Sequence, residues 1–366
     1  MYTLTLEITK RCNLKCRYCY VQKNEDMMQL DVGYKSIDIS LRQAKKTNDK
    51  TLLIYFIGGE PLLKYDSIKK YCEYAKEKAE KCGVKVKFSI TSNGILFNED
   101  ILDYFIANKF ALKISLDGME EVHNRNRCYE NGKGSYEAVY KNINKLKKYE
   151  YETGVSVSIA QVVCPNTCNQ LFDSVRFIKN MGFSVLETSI NVYEDWSEKS
   201  IEQLKNQIKE AFYWYKDIKG SGSKFYWNFI EARIRAYANS SCFYRCRAGI
   251  NSLFVNEYGE FFPCTEVDEN VKIGDFQQGI DIKKARKLLE IKDSENQDCL
   301  ECREYKQCTA CKCIMVNYDL HRDFYKVPLI ECEITKMLYE ILRKNFSEKQ
   351  FDILRISSTS LQLYKW

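Results

Sequence analysis

Histidine and proline are scarce in this chain, whose 366 residues include two histidines and four prolines. The scarcity of histidine argues against histidine-rich zinc or non-haem iron sites. Long apolar runs are also missing. The longest, Leu52–Ile57, has about six residues, whereas a membrane-spanning helix needs roughly 20. We therefore expect no transmembrane segment and no membrane partner.

Charge of one sign is not concentrated anywhere along the chain. The 56 lysines and arginines are interspersed with 50 aspartates and glutamates, which leaves a formal net charge of +6. This balance gives no indication of a nucleic-acid partner. Met1 leads directly into a strand-like stretch, without the basic region and apolar core of a signal peptide. We expect a cytoplasmic protein.

Cysteine, in contrast, is abundant, with 17 residues. A secreted disulfide scaffold would be short and would carry a signal peptide. In a reducing cytosol, so many thiols favour metal or iron–sulfur ligation. More than half of the cysteines lie between positions 242 and 332, where hydrophobic periodicity is weak. We expect that segment to need metal to hold its fold.

The first half of the chain alternates short apolar runs with helical stretches. Such apolar strands are typical of a parallel sheet covered by helices. We predict six βα-type units with their strand-to-helix loops at one end of the sheet, where sites in such folds are built. The predicted strands are Leu4–Thr9, Leu52–Ile57, Val86–Thr91, Leu112–Leu116, Val155–Val163 and Val185–Ser189.

Three cysteines follow the first predicted strand with C-x3-C-x2-C spacing: Cys12, Cys16 and Cys19. This spacing allows the three thiolates to bind one metal ion or one small metal cluster. A [4Fe–4S] cluster normally takes four cysteines, so three would leave one iron open to a chelating ligand. The alternative is zinc, which would need a fourth cysteine or histidine, and no histidine precedes His123.

Residues 12–20 resemble the signature loop of the radical S-adenosylmethionine (SAM) superfamily, and further motifs of that family follow successive strands. Gly58–Pro61 follows the second predicted strand, Thr91–Gly94 follows the third, and Ser115–Gly118 ends the fourth. The segment from His123 to Arg127 continues the pattern of the peptide-modifying branch.

The resemblance implies an α/β fold, a partial (β/α)6 radical SAM barrel, followed by a small cysteine-rich domain. Cys12, Cys16 and Cys19 would bind the SAM cluster, and SAM would chelate the open iron. The glycines suit close backbone approach, and a carboxylate suits the SAM ammonium. The implied SAM-binding residues are Tyr18, Gly58, Gly59, Glu60, Asn93, Ser115 and Arg127.

The later cysteines resemble the SPASM extension, a family module that binds two auxiliary [4Fe–4S] clusters. The resemblance places Cys246 and Cys264, which flank Gly259 in a predicted hairpin over Leu253–Phe262, on the first auxiliary cluster. A cysteine from the later run would join them. The implied ligands of the second auxiliary cluster are Cys299, Cys302, Cys308 and Cys332.

Two ligands of the first auxiliary cluster stay open. The usual C-x3-C ending would put a cysteine at Lys312, so the ligand is Cys311, which we favour, or Cys313. Cys242 is the best candidate for the fourth ligand, and an open iron that binds a peptide sulfur is the alternative. A zinc ribbon would use two CxxC pairs and leave most other thiols idle.

The change in pattern near the flexible Gly220–Ser223 stretch predicts a domain boundary. We predict a radical SAM core over residues 1–216, a bridging segment over 217–240, a SPASM domain over 241–345 and a C-terminal tail over 346–366.

The resemblance also implies cofactors, a reaction and partners. The cofactors are SAM and three [4Fe–4S] clusters, and the reaction is reductive cleavage of SAM to a 5′-deoxyadenosyl radical. We favour a maturase that oxidises a ribosomally made precursor peptide to form a thioether or another side-chain crosslink. It would need a low-potential electron donor of flavodoxin or ferredoxin type. Leader recognition would use the core itself or a separate leader-binding protein.

Two alternatives stay open. An anaerobic sulfatase-maturating enzyme, which makes formylglycine, has an aspartate suited to act as base immediately after the Gly-x4-Cys cysteine. This chain has Thr265 there, with Glu266 next as a candidate base. The alternative of another class is a non-enzymatic zinc-binding protein.

Overall fold

The computed structural model describes residues 1–239, 244, 246–265, 269–310 and 313–346. They divide into two compact units. The first consists of Met1–Leu116, His123–Ser158 and Cys246–Glu290, and the second of the described residues within 117–122, 159–245 and 291–366. This division does not follow the predicted domain boundaries, which stay a prediction.

The described ranges contain eleven strands. They are β1 (Tyr2–Glu7), β2 (Thr51–Ile57), β3 (Lys85–Ser92), β4 (Ala111–Ser115), β5 (Ser158–Val163), β6 (Val185–Ile190), β7 (Tyr226–Trp227), β8 (Ser252–Val255), β9 (Glu260–Phe262), β10 (Gly274–Asp275) and β11 (Gly279–Ile280). The six strands predicted for the first half coincide with β1–β6, apart from shifts at their ends.

The described ranges also contain thirteen α-helices. They are α1 (Leu30–Ala44), α2 (Tyr65–Cys82), α3 (Glu99–Asn108), α4 (Glu120–Asn126), α5 (Tyr136–Tyr140), α6 (Ile143–Thr153), α7 (Leu171–Asn180), α8 (Glu198–Gly220), α9 (Asn228–Asn239), α10 (Ile282–Glu290), α11 (Gln297–Leu300), α12 (Ile314–His321) and α13 (Leu329–Asn345). None of these helices is long and apolar enough to span a bilayer.

In the first unit, β1 lies inside a sheet with the order β11-β10-β9-β8-β1-β2-β3-β4. β1 pairs in parallel with β2 and with β8, and β2–β3 and β3–β4 are also parallel. Leu4 and Leu6 of β1 and Ile54 and Phe56 of β2 are fully buried. The predicted parallel sheet of apolar strands is therefore confirmed, and it sets the loops after β1–β4 at one edge.

The largest shift of a strand end occurs at β5, which begins at Ser158 although apolar alternation predicted a start at Val155. Side chains occupy the backbone donors that a longer strand would use. The amide of Val155 donates to Thr153 Oγ1 at 3.1 Å, and that of Val157 donates to Glu150 Oε1 at 2.9 Å. Local side-chain hydrogen bonds thus compete with strand pairing at this end.

The predicted hairpin is confirmed as β8 and β9, which pair antiparallel. β8 also pairs in parallel with β1. Its turn contains Gly259 at φ +83°, in the left-handed region. A Cβ atom at this position would lie 2.4 Å from the Phe276 ring and 2.8 Å from Val32 of α1. Glycine is therefore required both by the backbone conformation and by the lack of space.

The hairpin turn also contacts the chain that follows β1. Glu257 has a fully buried side chain, and its Oε1 lies 2.8 Å from Lys10 Nζ. Glu7, the last residue of β1, is also buried. Burial, and then the neighbouring Glu257, raise the pKa of Glu7 to about 8. Burial and the neighbouring carboxyl group thus favour the protonated form of Glu7, while Glu257 pairs with Lys10.

In the second unit, the strands follow the order β5-β6-β7, and β6 and β7 are parallel. Trp227 of β7 is fully buried, and its indole Nε1 donates to Thr188 Oγ1 at 2.8 Å. The Trp227 ring packs on Tyr215 of α8 and on Phe229 of α9. Aromatic packing therefore joins these helices to the strands.

Helix α13 begins at the end of the cysteine-rich segment and runs to residue 345, the last residue of the predicted SPASM domain. Its residues Ile330, Ile334, Leu338 and Leu342 recur every four positions and are all buried. This spacing is an ordinary amphipathic-helix pattern. Apolar packing therefore contributes to the fold of this part of the predicted SPASM domain.

We predict that Gly259→Ala lowers the free energy of unfolding by roughly 2–4 kcal/mol, because it combines left-handed backbone strain with overpacking. Gly83→Ala is the matched control, since Gly83 has φ +67° but a Cβ there would meet nothing within 4 Å. We expect about 1 kcal/mol for the control. Urea unfolding under anaerobic conditions measures both. Equal losses would show that the space around Gly259 is not limiting.

Candidate functional site

The carboxyl ends of β1, β2 and β3 lie next to one another because the three strands are parallel. In such sheets the loops at this edge build the site. The loop after β1 contains the first three cysteines, the loop after β2 contains Gly58–Pro61, and Asn93 follows β3. Ser115 ends the next strand, β4, and is buried. The structure therefore brings these sequence motifs to one edge.

The two glycines after β2 lie directly against the start of the cysteine loop. The amide of Gly59 donates to the Thr9 carbonyl at 2.7 Å, and the amide of Glu60 donates to the Arg11 carbonyl at 2.8 Å. A Cβ atom on Gly58 would lie 2.3 Å from the Thr9 oxygen, and one on Gly59 would lie 2.2 Å from the Arg11 oxygen. Only glycine permits this close backbone approach.

Glu60 is buried beneath the same edge, with 1% of its surface exposed. Its Oε1 accepts hydrogen bonds from the Leu62 amide at 3.0 Å and from Ser92 Oγ at 2.9 Å. Its Oε2 accepts one from the Asn93 amide at 2.8 Å. One carboxylate therefore joins the loops after β2 and β3.

Burial and hydrogen bonding have opposite effects on the pKa of Glu60. Burial raises its pKa to about 7, although hydrogen bonds from the amides of Asn93 and Leu62 and from Ser92, together with nearby Arg127, act to lower it. A cation placed against this carboxylate would favour its ionised form. The site is therefore suited to a ligand that carries an ammonium group.

Asn93 links the loop after β3 to the cysteine loop. Its Nδ2 donates to Asn13 Oδ1 at 2.7 Å, and its Oδ1 accepts from the Ile95 amide at 3.1 Å. Asn142 fixes the turn that follows Asn93, because its Nδ2 donates to the carbonyls of Gly94 at 2.9 Å and Ile95 at 3.0 Å. The position of Asn93 is thus fixed by its neighbours.

The cysteine loop presents half-buried thiols. The Leu14 amide donates to Cys12 Sγ at 3.4 Å, and the Cys19 amide donates to the Cys16 carbonyl at 3.3 Å. Burial raises the pKa of Cys12 to about 11, and Glu60 and Cys16 lie close enough to add to the rise. An amide hydrogen bond such as that to Cys12 suits a sulfur that binds an iron–sulfur cluster. Joint ligation of a cluster by the three thiols stays a prediction.

Backbone hydrogen bonds also attach the cysteine loop to the segment at the end of α4. The Lys15 amide donates to the Cys128 carbonyl at 2.7 Å, and the Arg17 amide donates to the Asn126 carbonyl at 2.8 Å. The Arg127 guanidinium lies 5.2 Å from the centre of the Tyr18 ring. This distance permits a cation–π contact. Tyr18 and Arg127, both predicted SAM-binding residues, therefore lie side by side.

His123 supports Arg127 through a buried hydroxyl. The fully buried imidazole contacts Ser135 Oγ through Nε2 at 3.0 Å, and that hydroxyl donates to the Arg127 carbonyl at 2.9 Å. The Arg127 amide in turn donates to the His123 carbonyl at 2.8 Å. His123 is thus a structural support for this turn.

Four cysteines of the second unit lie near one another. Burial, followed by the neighbouring Cys308, Cys332 and Cys302, raises the pKa of Cys299 to about 11. Cys332 lies in the first turns of α13. Four adjacent thiols suit a fully ligated iron–sulfur cluster. Within the described ranges, no group of three or more cysteine, histidine, aspartate or glutamate side chains is arranged so that it could hold a metal ion.

The first auxiliary ligand set is only partly described. Cys246 is exposed and precedes β8, and Cys264 is half-buried and follows β9. Cys313 is exposed and immediately precedes α12. Cys242, Cys311 and Glu266 lie outside the described residues. The ligand and base assignments that involve them therefore stay predictions.

Sequence reasoning missed several residues that shape the edge. Asn13 and Ser92 hold Asn93 and Glu60, yet only their places inside the motif segments could have signalled a role. The Lys10–Glu257 ion pair joins residues that are far apart along the chain. Nothing in a single sequence connects these two positions before the sheet order is known.

Comparison with known proteins agrees with this geometry. Residues 6–167 match the family model of the Radical SAM superfamily. A cysteine-type anaerobic sulfatase-maturating enzyme of Clostridium novyi is 26% identical over 329 residues, which cover 82% of this chain and 85% of that protein. The chain therefore carries a radical SAM domain, and its prediction as an enzyme is confirmed.

Two further likenesses extend beyond this domain. The antilisterial bacteriocin subtilosin biosynthesis protein AlbA of Bacillus subtilis is 24% identical over 278 residues, 74% of this chain and 56% of that protein. The structure of native anSMEcpe with bound AdoMet and Kp18Cys peptide superposes with a TM-score of 0.76 at 21% identity. The match covers 96% of this chain and 98% of that one. The predicted radical SAM fold is thus confirmed.

We predict that Glu60→Gln weakens SAM binding by roughly 1.5–3 kcal/mol, or about ten- to 150-fold, because a charge-assisted contact with the SAM ammonium is lost. Equilibrium dialysis with the anaerobically reconstituted protein measures the affinity. Glu130→Gln is the control, since Glu130 is an exposed carboxylate paired with Lys15 of the cysteine loop. Unchanged affinity in Glu60→Gln would leave Glu60 with a purely structural role.

Proposed function

We propose that this radical SAM enzyme oxidises a side chain of a ribosomally made precursor peptide, forming a thioether or another side-chain crosslink. The observation that carries the chemistry is the edge at which Glu60 joins the loops after β1, β2 and β3 beside Cys12. The preference for crosslinking rests on Thr265, which stands where the sulfatase-maturating branch has an aspartate.

Cys12, Cys16 and Cys19 would hold the SAM cluster. When bound, that cluster supplies the low-potential electron that breaks the C5′–S bond of SAM and yields a 5′-deoxyadenosyl radical. Glu60 binds the SAM ammonium, which favours the ionised carboxylate. The ring of Tyr18, with Arg127 packed beside it, offers a face for the adenine.

Other residues of the edge orient SAM. Gly58 and Gly59 leave the backbone open to the ligand, and Asn93 and Ser115 present polar groups at the ends of β3 and β4. The hydrogen bonds that fix Glu60 and Asn93 are already formed between protein groups. The edge is therefore preorganised, so that SAM binding needs little rearrangement.

Two auxiliary [4Fe–4S] clusters would make three in total. The second would be held by the four neighbouring thiols of the second unit, whose mutual effect on the pKa of Cys299 supports the assignment. The ligands proposed for the first are Cys242, Cys246, Cys264 and Cys311, or Cys313 in place of Cys311. Complete ligation of the second cluster suits an electron conduit, because no iron is free to bind substrate.

The partners follow from this reaction. The enzyme needs a precursor peptide, a low-potential electron donor of flavodoxin or ferredoxin type, and a means of recognising the leader, either in the core or in a separate protein. A reducing cytoplasm suits the free thiols that the chemistry requires. A peptide bound to the structurally similar anSMEcpe supports the class of substrate.

The second candidate function is anaerobic sulfatase maturation. The Clostridium novyi relative, which spans most of this chain, and the full-length likeness to anSMEcpe favour it. Glu266 would then have to serve as the base that the neighbouring Thr265 cannot supply. The two candidates share SAM cleavage and differ in the product.

The test uses the anaerobically reconstituted full chain with SAM, dithionite and two peptides. One is a synthetic cysteine-containing peptide of a few dozen residues, chosen from the reading frames next to the gene for this chain, and the other is a cysteine peptide derived from a sulfatase. We expect about twelve iron atoms per chain, 5′-deoxyadenosine, and a product of the first peptide that has lost two hydrogen atoms without gaining oxygen. Mass spectrometry with aldehyde trapping separates the products.

Each outcome decides between the candidates. A trapped aldehyde on the sulfatase peptide, with the first peptide unchanged, would establish sulfatase maturation in place of crosslinking. Absence of 5′-deoxyadenosine with full iron content would contradict both candidates.

A further inference from the structure

Helix α13 carries a lysine one turn away from a predicted cluster ligand. Cys332 and Lys336 are separated by four positions, so both side chains lie on the same face of the helix. Cys302 and Lys336 also line a common cavity of about 460 Å³ in the second unit. The lysine is therefore close to two of the four cysteines proposed to bind the second auxiliary cluster.

Two other cations that line this cavity, Lys205 and Arg343, are matched to carboxylates. Lys205 Nζ lies 2.7 Å from Glu333 Oε2, and the Arg343 guanidinium is paired with Glu304. In the part of the chain that the structure describes, no carboxylate lies within ion-pair distance of Lys336. Among the neighbours that act on the charge of Lys336, the Cys332 and Cys302 thiols act more strongly than Glu333, which is paired with Lys205.

The electrostatics of the two side chains agree with this geometry. The Cys332 thiol is the largest cause that raises the pKa of Lys336, and Cys302 adds to the rise. Lys336 in turn acts to lower the pKa of Cys332 through its charge and a hydrogen bond, although burial raises that pKa overall. Negative charge on these sulfurs and positive charge on Lys336 therefore stabilise each other.

We propose that Lys336 is a positioning residue for the second auxiliary cluster, where its ammonium faces Cys332 and Cys302 and favours the reduced state of that cluster. This inference rests on the proposed function, which places a [4Fe–4S] cluster on Cys299, Cys302, Cys308 and Cys332.

The physical reason is the charge of the cluster site. Four thiolates make the site negative, and uptake of one electron makes it more negative without forming or breaking a bond. A cation beside the sulfurs stabilises the reduced state more than the oxidised state. Hydrogen bonds to the sulfurs and local charge are known determinants of cluster potential. Lys336 supplies both from one side chain.

The test is an anaerobic redox titration of the reconstituted full chain, followed by electron paramagnetic resonance with dithionite as reductant. We expect Lys336→Met to lower the equilibrium constant for reduction of one cluster about tenfold, which is ~59 mV for a one-electron couple. Lys336→Arg keeps the charge and should stay near the wild-type value. Lys344→Met is the matched control, because Lys344 is an exposed lysine of the same helix paired with Glu340.

Iron analysis separates the possible failures. An unshifted potential in Lys336→Met with full iron content, or an equal shift in Lys344→Met, would overturn the role of Lys336 while leaving the proposed function intact. If Lys336→Met loses iron, Lys336→Gln gives a second neutral variant. Iron loss in both neutral variants but not in Lys336→Arg supports the role of the charge, whereas iron loss in all three overturns it. A wild-type chain that binds only one or two clusters, with none lost in Cys299→Ala, would contradict the second cluster itself.

Discussion

The site depends on one buried carboxylate. Glu60 accepts hydrogen bonds from the Leu62 amide, the Ser92 hydroxyl and the Asn93 amide, while its own amide donates to the Arg11 carbonyl. Because parallel pairing puts these groups at one edge, a single residue can hold three loops together through its carboxylate and its backbone amide. The glycines before it permit the approach, since a Cβ on Gly59 would collide with the Arg11 carbonyl. Glu60 therefore holds the loops of the site together and is also the residue proposed to bind the SAM ammonium.

The cysteine-rich segment is not wholly separate from the sheet that carries this edge. The β8–β9 hairpin, which Cys246 precedes and Cys264 follows, pairs with β1 through β8 and belongs to the same compact unit. The ion pair between Lys10 and Glu257 connects its turn to the segment just before Cys12. Within this unit, the proposed SAM-cluster ligands follow the carboxyl end of β1, whereas Cys246 and Cys264 lie beyond the opposite end of the neighbouring β8–β9 hairpin.

The sequence was informative where chemistry and local pattern coincide. Apolar runs predicted β1–β6, and motifs after successive strands predicted that Glu60, Asn93 and the cysteine loop would meet. It failed where a feature depends on distant partners, as for Lys10 and Glu257. The regular spacing of Ile334 and Leu338 is an amphipathic-helix pattern that the sequence already contains, although no helix was predicted over α13.

The most direct test of the central claim replaces Cys12, Cys16 and Cys19 together by alanine in the full chain. After anaerobic reconstitution, we expect the iron content to fall by about four atoms per chain and SAM cleavage to stop, while the absorbance of the remaining clusters persists. If the triple variant formed 5′-deoxyadenosine at the wild-type rate with unchanged iron content, the cysteine loop beside Glu60 could not be the site of SAM cleavage.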